Sequence, residues 1–175
     1  IFILIPKNLK WIMVRWRKSL WGRNLFISNM KNNLLNQPFD FLNWDGTRII
    51  PKHVVIETVF GCNASCVMCV INHPTPRKKR VMSRELFLKI VDSLQSHKDN
   101  IEMFDFIGLG EPLLDPFLTE RIRYVKGKGF RNLAISTNAD ILDKKRQKEL
   151  LDTGIETIIF SIDGVNKETH ENIRK

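Results

Sequence analysis

The run His53-Val54-Val55-Ile56-Glu57-Thr58-Val59-Phe60-Gly61-Cys62-Asn63-Ala64-Ser65-Cys66-Val67-Met68-Cys69 decides how this chain is read. Its first half, His53 to Phe60, is rich in β-branched residues and reads as a strand. Its second half is a loop that carries all three cysteines of the chain. The C-x3-C-x2-C spacing offers three thiolates and no fourth. A structural metal site normally closes its coordination shell, whereas a reactive one leaves a position open. Three thiolates can hold a [4Fe–4S] cube with one iron left to bind something else. They can also hold zinc, with His73 or His53 completing a Cys3His set, although the paired C-x2-C knuckles usual for zinc are absent. Gly61, Asn63, Ala64 and Ser65 are small or polar, so backbone amides can turn inward toward sulfur.

Downstream, strand and helix signals alternate. Ser83 can cap a helix over Arg84 to Ser96, with Leu86, Phe87, Ile90, Val91 and Leu94 on one face. Met103 to Leu109 reads as a second strand, ending in Gly108-Leu109-Gly110-Glu111-Pro112. Asp115-Pro116 forms an N-cap and first-turn pair for a helix that stops at Gly127-Lys128-Gly129. Asn132 to Thr137 is a third strand, and Asp143 opens a helix that stops at Gly154. Glu156 to Ile162 is a fourth strand, leading into Asp163-Gly164 and a further helix. Such alternation predicts βαβ units on a parallel sheet, with right-handed crossovers that gather the strand-to-helix loops at one edge. Each distinctive motif falls in one of those loops: Cys62 to Cys69, Gly108 to Pro112, Ser136 to Asn138, and Ser161 to Gly164. That edge is where parallel α/β folds build their sites.

Outside this region the signals are weaker. The chain of 175 residues is 43% hydrophobic and 27% charged, the composition of a globular protein. With 28 basic and 19 acidic side chains its net charge is +9, which most simply describes a basic surface. Arg77-Lys78-Lys79-Arg80 reads as a solvated face. Within the presumed core no basic run is interleaved with stacking aromatics, so nucleic acid is not the expected partner. Residues 1–50 form a basic, Trp-rich segment and linker. Within it Leu9, Ile12, Met13, Trp16 and Leu20 recur at helical spacing, so an amphipathic basic helix is expected, packed on its own domain or lying on an anionic membrane surface. Three clustered cysteines argue against a disulfide framework and for a reducing compartment, and no signal or membrane-spanning segment is evident, so a cytoplasmic location is expected.

The cysteine motif directly after a first strand resembles the radical S-adenosylmethionine (radical SAM) enzymes. The resemblance covers about residues 54 to 174. It implies that Cys62, Cys66 and Cys69 hold a [4Fe–4S] cluster whose free iron is chelated by S-adenosylmethionine, which is cleaved reductively to a 5′-deoxyadenosyl radical. Met68 stands where the family usually has an aromatic residue near the adenine. Gly108-x-Gly110-Glu111-Pro112 is similar to the family's second motif, with Gly110 and Glu111 near the methionine ammonium group. Thr137 and Asn138, and Ser161 and Asp163, are similar to stretches that line the cofactor pocket, although Asp163 also suits a helix cap. Gly108 to Leu114 and Ser161 to Gly164 resemble the branch with an extra-cluster (SPASM) domain, whose members modify peptides, mature enzymes or build cofactors.

The resemblance implies an α/β fold, an incomplete parallel (βα)6 partial TIM-type barrel with about four βα units in residues 51–175, truncated on its C-terminal side. The implied partners are S-adenosylmethionine, a reductant such as flavodoxin or ferredoxin, and a peptide, protein or cofactor substrate. No catalytic residue can be named. A zinc-stabilised nucleic-acid-binding module and an inert fragment of the enzyme are the alternatives.

Overall fold

The computed structural model describes residues 11–14, 42–44, 49–72 and 78–174. Its main sheet is parallel throughout and contains β1 (Trp11–Val14), β4 (His53–Val55), β7 (Met103–Phe106), β8 (Leu133–Thr137) and β9 (Thr157–Phe160), in the order β1-β9-β8-β7-β4. Two antiparallel pairs flank it: β2 (Leu42–Trp44) with β3 (Ile49–Pro51), and β5 (Val59–Phe60) with β6 (Arg80–Val81). The helices are α1 (Arg84–Leu94), α2 (Leu118–Gly127), α3 (Lys144–Leu151) and α4 (Lys167–Ile173). Strands β4, β7, β8 and β9 are thus the consecutive parallel strands of four βα units in a partial TIM-type barrel.

Side chains alternate across a strand, so one face of each strand meets the helices. That face supplies Ile56, Phe104, Phe106, Leu133, Ile135 and Ile158. They pack with Phe87 and Val91 of α1, Leu118, Ile122 and Val125 of α2, and Leu150 of α3. Aromatic rings seal the middle, with the Phe104 centroid 5.5 Å from both Phe106 and Phe130. His53, Val55, Asp105, Ala134 and Ser136 alternate onto the opposite face. There His53 Nε2 meets Asp105 Oδ2 at 2.6 Å.

The helix starts follow local chemistry. Ser83 accepts from the Leu86 amide and Asp143 from the Arg146 amide, as their positions predict. Asp115 departs from the expectation. The helix begins at Leu118, and Asp115 accepts from the Phe117 amide at 2.9 Å while pairing with Arg121 Nε at 2.9 Å. Both side chains are almost fully buried, and Arg121 also donates to the Met82 carbonyl and lies over the Phe87 ring. The demand of a buried guanidinium for a counter-anion has taken the capping carboxylate. Gly154 has φ +72°, so the turn that ends the α3 region uses the left-handed geometry glycine tolerates.

Two further expectations are corrected. Trp11–Val14 is a strand and not part of a helix, in parallel register with Thr157–Phe160. The rest of the expected helix, including Leu9, Trp16 and Leu20, lies outside the described residues. A short apolar run does not tell helix from strand by periodicity alone, and here the backbone of this run pairs with β9 on the side away from β8. The first strand is also not continuous from His53 to Phe60. The chain leaves the parallel sheet after Ile56, whose amide donates to the Asp105 carbonyl at 2.8 Å, and then pairs with β6.

Candidate functional site

That departure places the cysteines. Because β5 pairs with β6, and the Met82 amide donates to the Thr58 carbonyl at 2.7 Å, the loop from Gly61 onward is held over the ends of the parallel strands. The Cys69 amide donates to the Cys66 carbonyl at 3.0 Å, which closes the turn between the last two cysteines. None of the three is in a disulfide; Cys66 is buried and Cys62 and Cys69 are half-buried.

N–H groups converge on the sulfurs. The Ala64 amide lies 3.4 Å from Cys62 Sγ, and Asn138 Nδ2 lies 3.7 Å from the same atom. Asn138 Nδ2 also donates to Asn63 Oδ1 at 3.2 Å, and Asn63 Nδ2 donates to Asp140 Oδ2 at 2.7 Å. The loop after β8 therefore grips the first half of the cysteine loop. The segment after β9 grips the second half. There the Val67 amide donates to the Ile173 carbonyl at 3.0 Å, and Arg174 Nη1 lies 3.9 Å from Cys66 Sγ. Burial pushes the Cys66 thiol up, the Arg174 cation opposes that, and the Cys62 and Cys69 thiols add to it.

Gly108 to Pro112 lies directly beneath. The Leu109 amide donates to Glu57 Oε1 at 2.7 Å, and a Cβ on Gly108 would come within 2.5 Å of the Glu57 side chain. The Glu111 amide donates to the Gly61 carbonyl at 2.8 Å, which ties this turn to the start of the cysteine loop. The Glu111 carboxylate is buried, 3% exposed, and accepts from the Leu113 amide, Thr137 Oγ1 and the Asn138 amide at 3.0, 2.6 and 2.8 Å. Gly110 is half-buried, and its Cα packs against the carbonyls of Val59 and Gly61.

The remaining residues singled out from sequence fall at the same edge. Thr137 is buried, bonded to Glu111 and to the Ala139 amide. Ser161 Oγ is 3.4 Å from Ser136 Oγ, and the Ser161 amide donates to the Thr137 carbonyl at 2.9 Å. Asp163 does not cap the following helix. Asn166 does so, accepting from the Thr169 amide, and Asp163 Oδ2 accepts from Arg174 Nε at 2.7 Å. Met68 is 43% exposed on the cysteine loop itself. Sequence reasoning missed Glu57, Asn63 and Arg174. Asn63 and Glu57 lie within or just before the motif, but nothing local distinguishes Arg174 from any basic residue following a helix.

The donor set fits an iron–sulfur cube. Its three cysteines share one short loop, and amide, carboxamide and guanidinium N–H groups face two of the sulfurs, as anionic sulfur ligands require. Among the described residues no three His, Cys, Asp or Glu side chains gather tightly enough for a single metal ion. A cube takes each thiolate on a different iron, so it asks for wider spacing than zinc. Of the two histidines weighed as a fourth zinc ligand, His53 is engaged with Asp105, and His73 lies outside the described residues.

Residues 56–175 match the Radical SAM superfamily. The tungsten-containing aldehyde ferredoxin oxidoreductase cofactor-modifying protein of Pyrococcus furiosus is 36% identical over 112 residues, 64% of this chain and 31% of that protein. The AdoMet-dependent heme synthase of Methanosarcina barkeri is 29% identical over 124 residues, 71% of this chain and 34% of that protein. The chain thus spans about a third of the length of these curated relatives. In fold it is similar to BtrN in complex with AdoMet and 2-DOIA, with TM-score 0.59 and 24% identity over 70% of this chain and 50% of that one. Streptococcus suis SuiB bound to S-adenosylmethionine gives TM-score 0.58 and 18% identity over 72% of this chain and 28% of that one.

Proposed function

This chain belongs to the radical SAM superfamily, and from that premise we propose that Cys62, Cys66 and Cys69 hold a [4Fe–4S] cluster at which S-adenosylmethionine is cleaved reductively. When bound and reduced, such a cluster supplies the electron that turns the sulfonium of S-adenosylmethionine into methionine and a 5′-deoxyadenosyl radical. The chain's own residues hold and shield that pair. The observation that carries the reading is the double grip on the cysteine loop, by Asn138 on Cys62 and by the segment after β9 on Cys66. Loops separated by whole βα units hold their donors at the sulfurs.

Met68, exposed on the loop, offers an apolar face for the adenine. Ser161, with Ser136 beside it, offers hydroxyls for the ribose or carboxylate. Gly110 and Glu111 form the floor on the ammonium side, and the second Glu111 oxygen, with one acceptor in use, retains a lone pair. Thr137 fixes Glu111, Asn138 fixes Cys62, and Asp163 acts through Arg174. Residues 51–175 are the unit that builds this site, and Trp11–Val14 from the preceding segment adds a strand to its sheet.

The resulting radical abstracts hydrogen from a cofactor precursor or a peptide. The name of the Pyrococcus furiosus relative, a cofactor-modifying protein, supports the first. The electron comes from a low-potential carrier of the flavodoxin or ferredoxin kind, and three clustered cysteines outside any disulfide suit a reducing, cytoplasmic setting. The test is formation of 5′-deoxyadenosine by the anaerobically reconstituted full-length protein with dithionite and S-adenosylmethionine. Turnover lost in the variant of any one cysteine supports the reading. Stoichiometric zinc, no iron and no 5′-deoxyadenosine refute it.

A further inference from the structure

We propose that Arg174 is a positioning residue that raises the electron affinity of the cluster through Cys66. The inference rests on the cluster reading above and concerns how that site is tuned.

Cys66 is the buried member of the triad, and Arg174 Nη1 brings a full positive charge to 3.9 Å from its sulfur. The placement is built on both sides of the guanidinium. Asp163 Oδ2 accepts from Nε at 2.7 Å, with the two side chains 19% and 10% exposed, which leaves Nη1 turned toward Cys66 Sγ. The backbone closes the same contact, since the Val67 amide donates to the Ile173 carbonyl next to Arg174. Arg174 itself ends α4, where its amide donates to the His170 carbonyl at 2.7 Å.

The physical consequence follows from charge. Reduction adds one electron, taken from the external donor, and so one negative charge to the cluster. A cation beside a ligating sulfur favours that reduced form, and the low exposure of the pair limits screening by water and salt. Asp163 offsets part of the charge but lies behind it, so the positive end of the pair faces sulfur. Hydrogen bonding and charge at cluster sulfurs are recognised levers on potential.

The experiment compares full-length holoprotein with Arg174→Gln and Arg174→Lys. Iron content and absorbance first establish that the cluster is present. Its midpoint potential is then read by redox titration, following the electron paramagnetic resonance signal of the reduced cluster without S-adenosylmethionine. R174Q should lower the equilibrium constant for reduction by about tenfold, a shift of ~59 mV toward negative potential for one electron. R174K, which keeps the charge but not the fork, should recover most of that shift. If R174Q does not load iron, Asp163→Asn decides: it removes the negative charge that offsets Arg174, so a shift toward positive potential supports the proposal and a zero or negative shift overturns it. Equal potentials in loaded variants overturn it while leaving the cluster reading intact, and so does an unchanged potential with weakened S-adenosylmethionine binding. Wild-type protein without iron would instead refute the cluster reading.

Discussion

A Cβ on Gly110 would fall inside the contact distance of the Val59 carbonyl oxygen and 2.9 Å from that of Gly61. The glycine motif and the cysteine strand are therefore packed backbone to backbone. Because the obstructing atoms are main-chain carbonyls, no rotamer change makes room. Gly110→Ala should cost roughly 3 kcal/mol or more and displace the cysteine loop. Thermal unfolding of the full-length protein, together with its iron content after reconstitution, measures both effects.

Glu111 joins the same turn to β8. Its carboxylate serves three donors in a buried place, and removing it leaves the Leu113 and Asn138 amides and the Thr137 hydroxyl without their acceptor. Glu111→Ala should cost about 4 kcal/mol on that ground, since each buried unpaired group costs about 1–3 kcal/mol. Glu111→Gln keeps one acceptor oxygen and should cost about half as much. Equal stability of all three proteins in denaturant titrations would contradict this role.

Asp105 gives a pH dependence. Burial raises its pKa above the ordinary carboxylate value, against the lowering effect of the hydrogen bond from His53. The folded state therefore binds the Asp105 proton more tightly than the unfolded state does. The stability this contributes is complete below the ordinary value of about 3.9 and is lost as pH rises through the raised one. Asp105→Asn, which cannot ionise, should gain stability relative to wild type as pH rises from about 4 to 7. Unfolding midpoints of the two proteins across that range give the comparison; a constant or opposite difference would contradict the assignment.

Much of this arrangement is legible in the sequence. The alternation of apolar strands with capped helices is local, and Ser83 and Asp143 act where their positions say they should. The order of motif-bearing loops follows from parallel topology alone. Other features depend on what the chain meets at long range. Trp11–Val14 takes its conformation from pairing with β9, and Asp115 is diverted by Arg121. Asp163 suits a cap by residue type, yet Arg174, eleven positions later, takes its carboxylate. Each miss arises where a tertiary partner outweighs a local preference.

The central claim concerns Cys62, Cys66 and Cys69 as cluster ligands, and metal analysis of the anaerobically reconstituted full-length protein tests it most directly. It should contain about four irons and four sulfides per chain for this site, with broad absorbance near ~400 nm that is lost when any one of the three is replaced by Ala. Stoichiometric zinc without iron, or an iron content unchanged by those replacements, would contradict it.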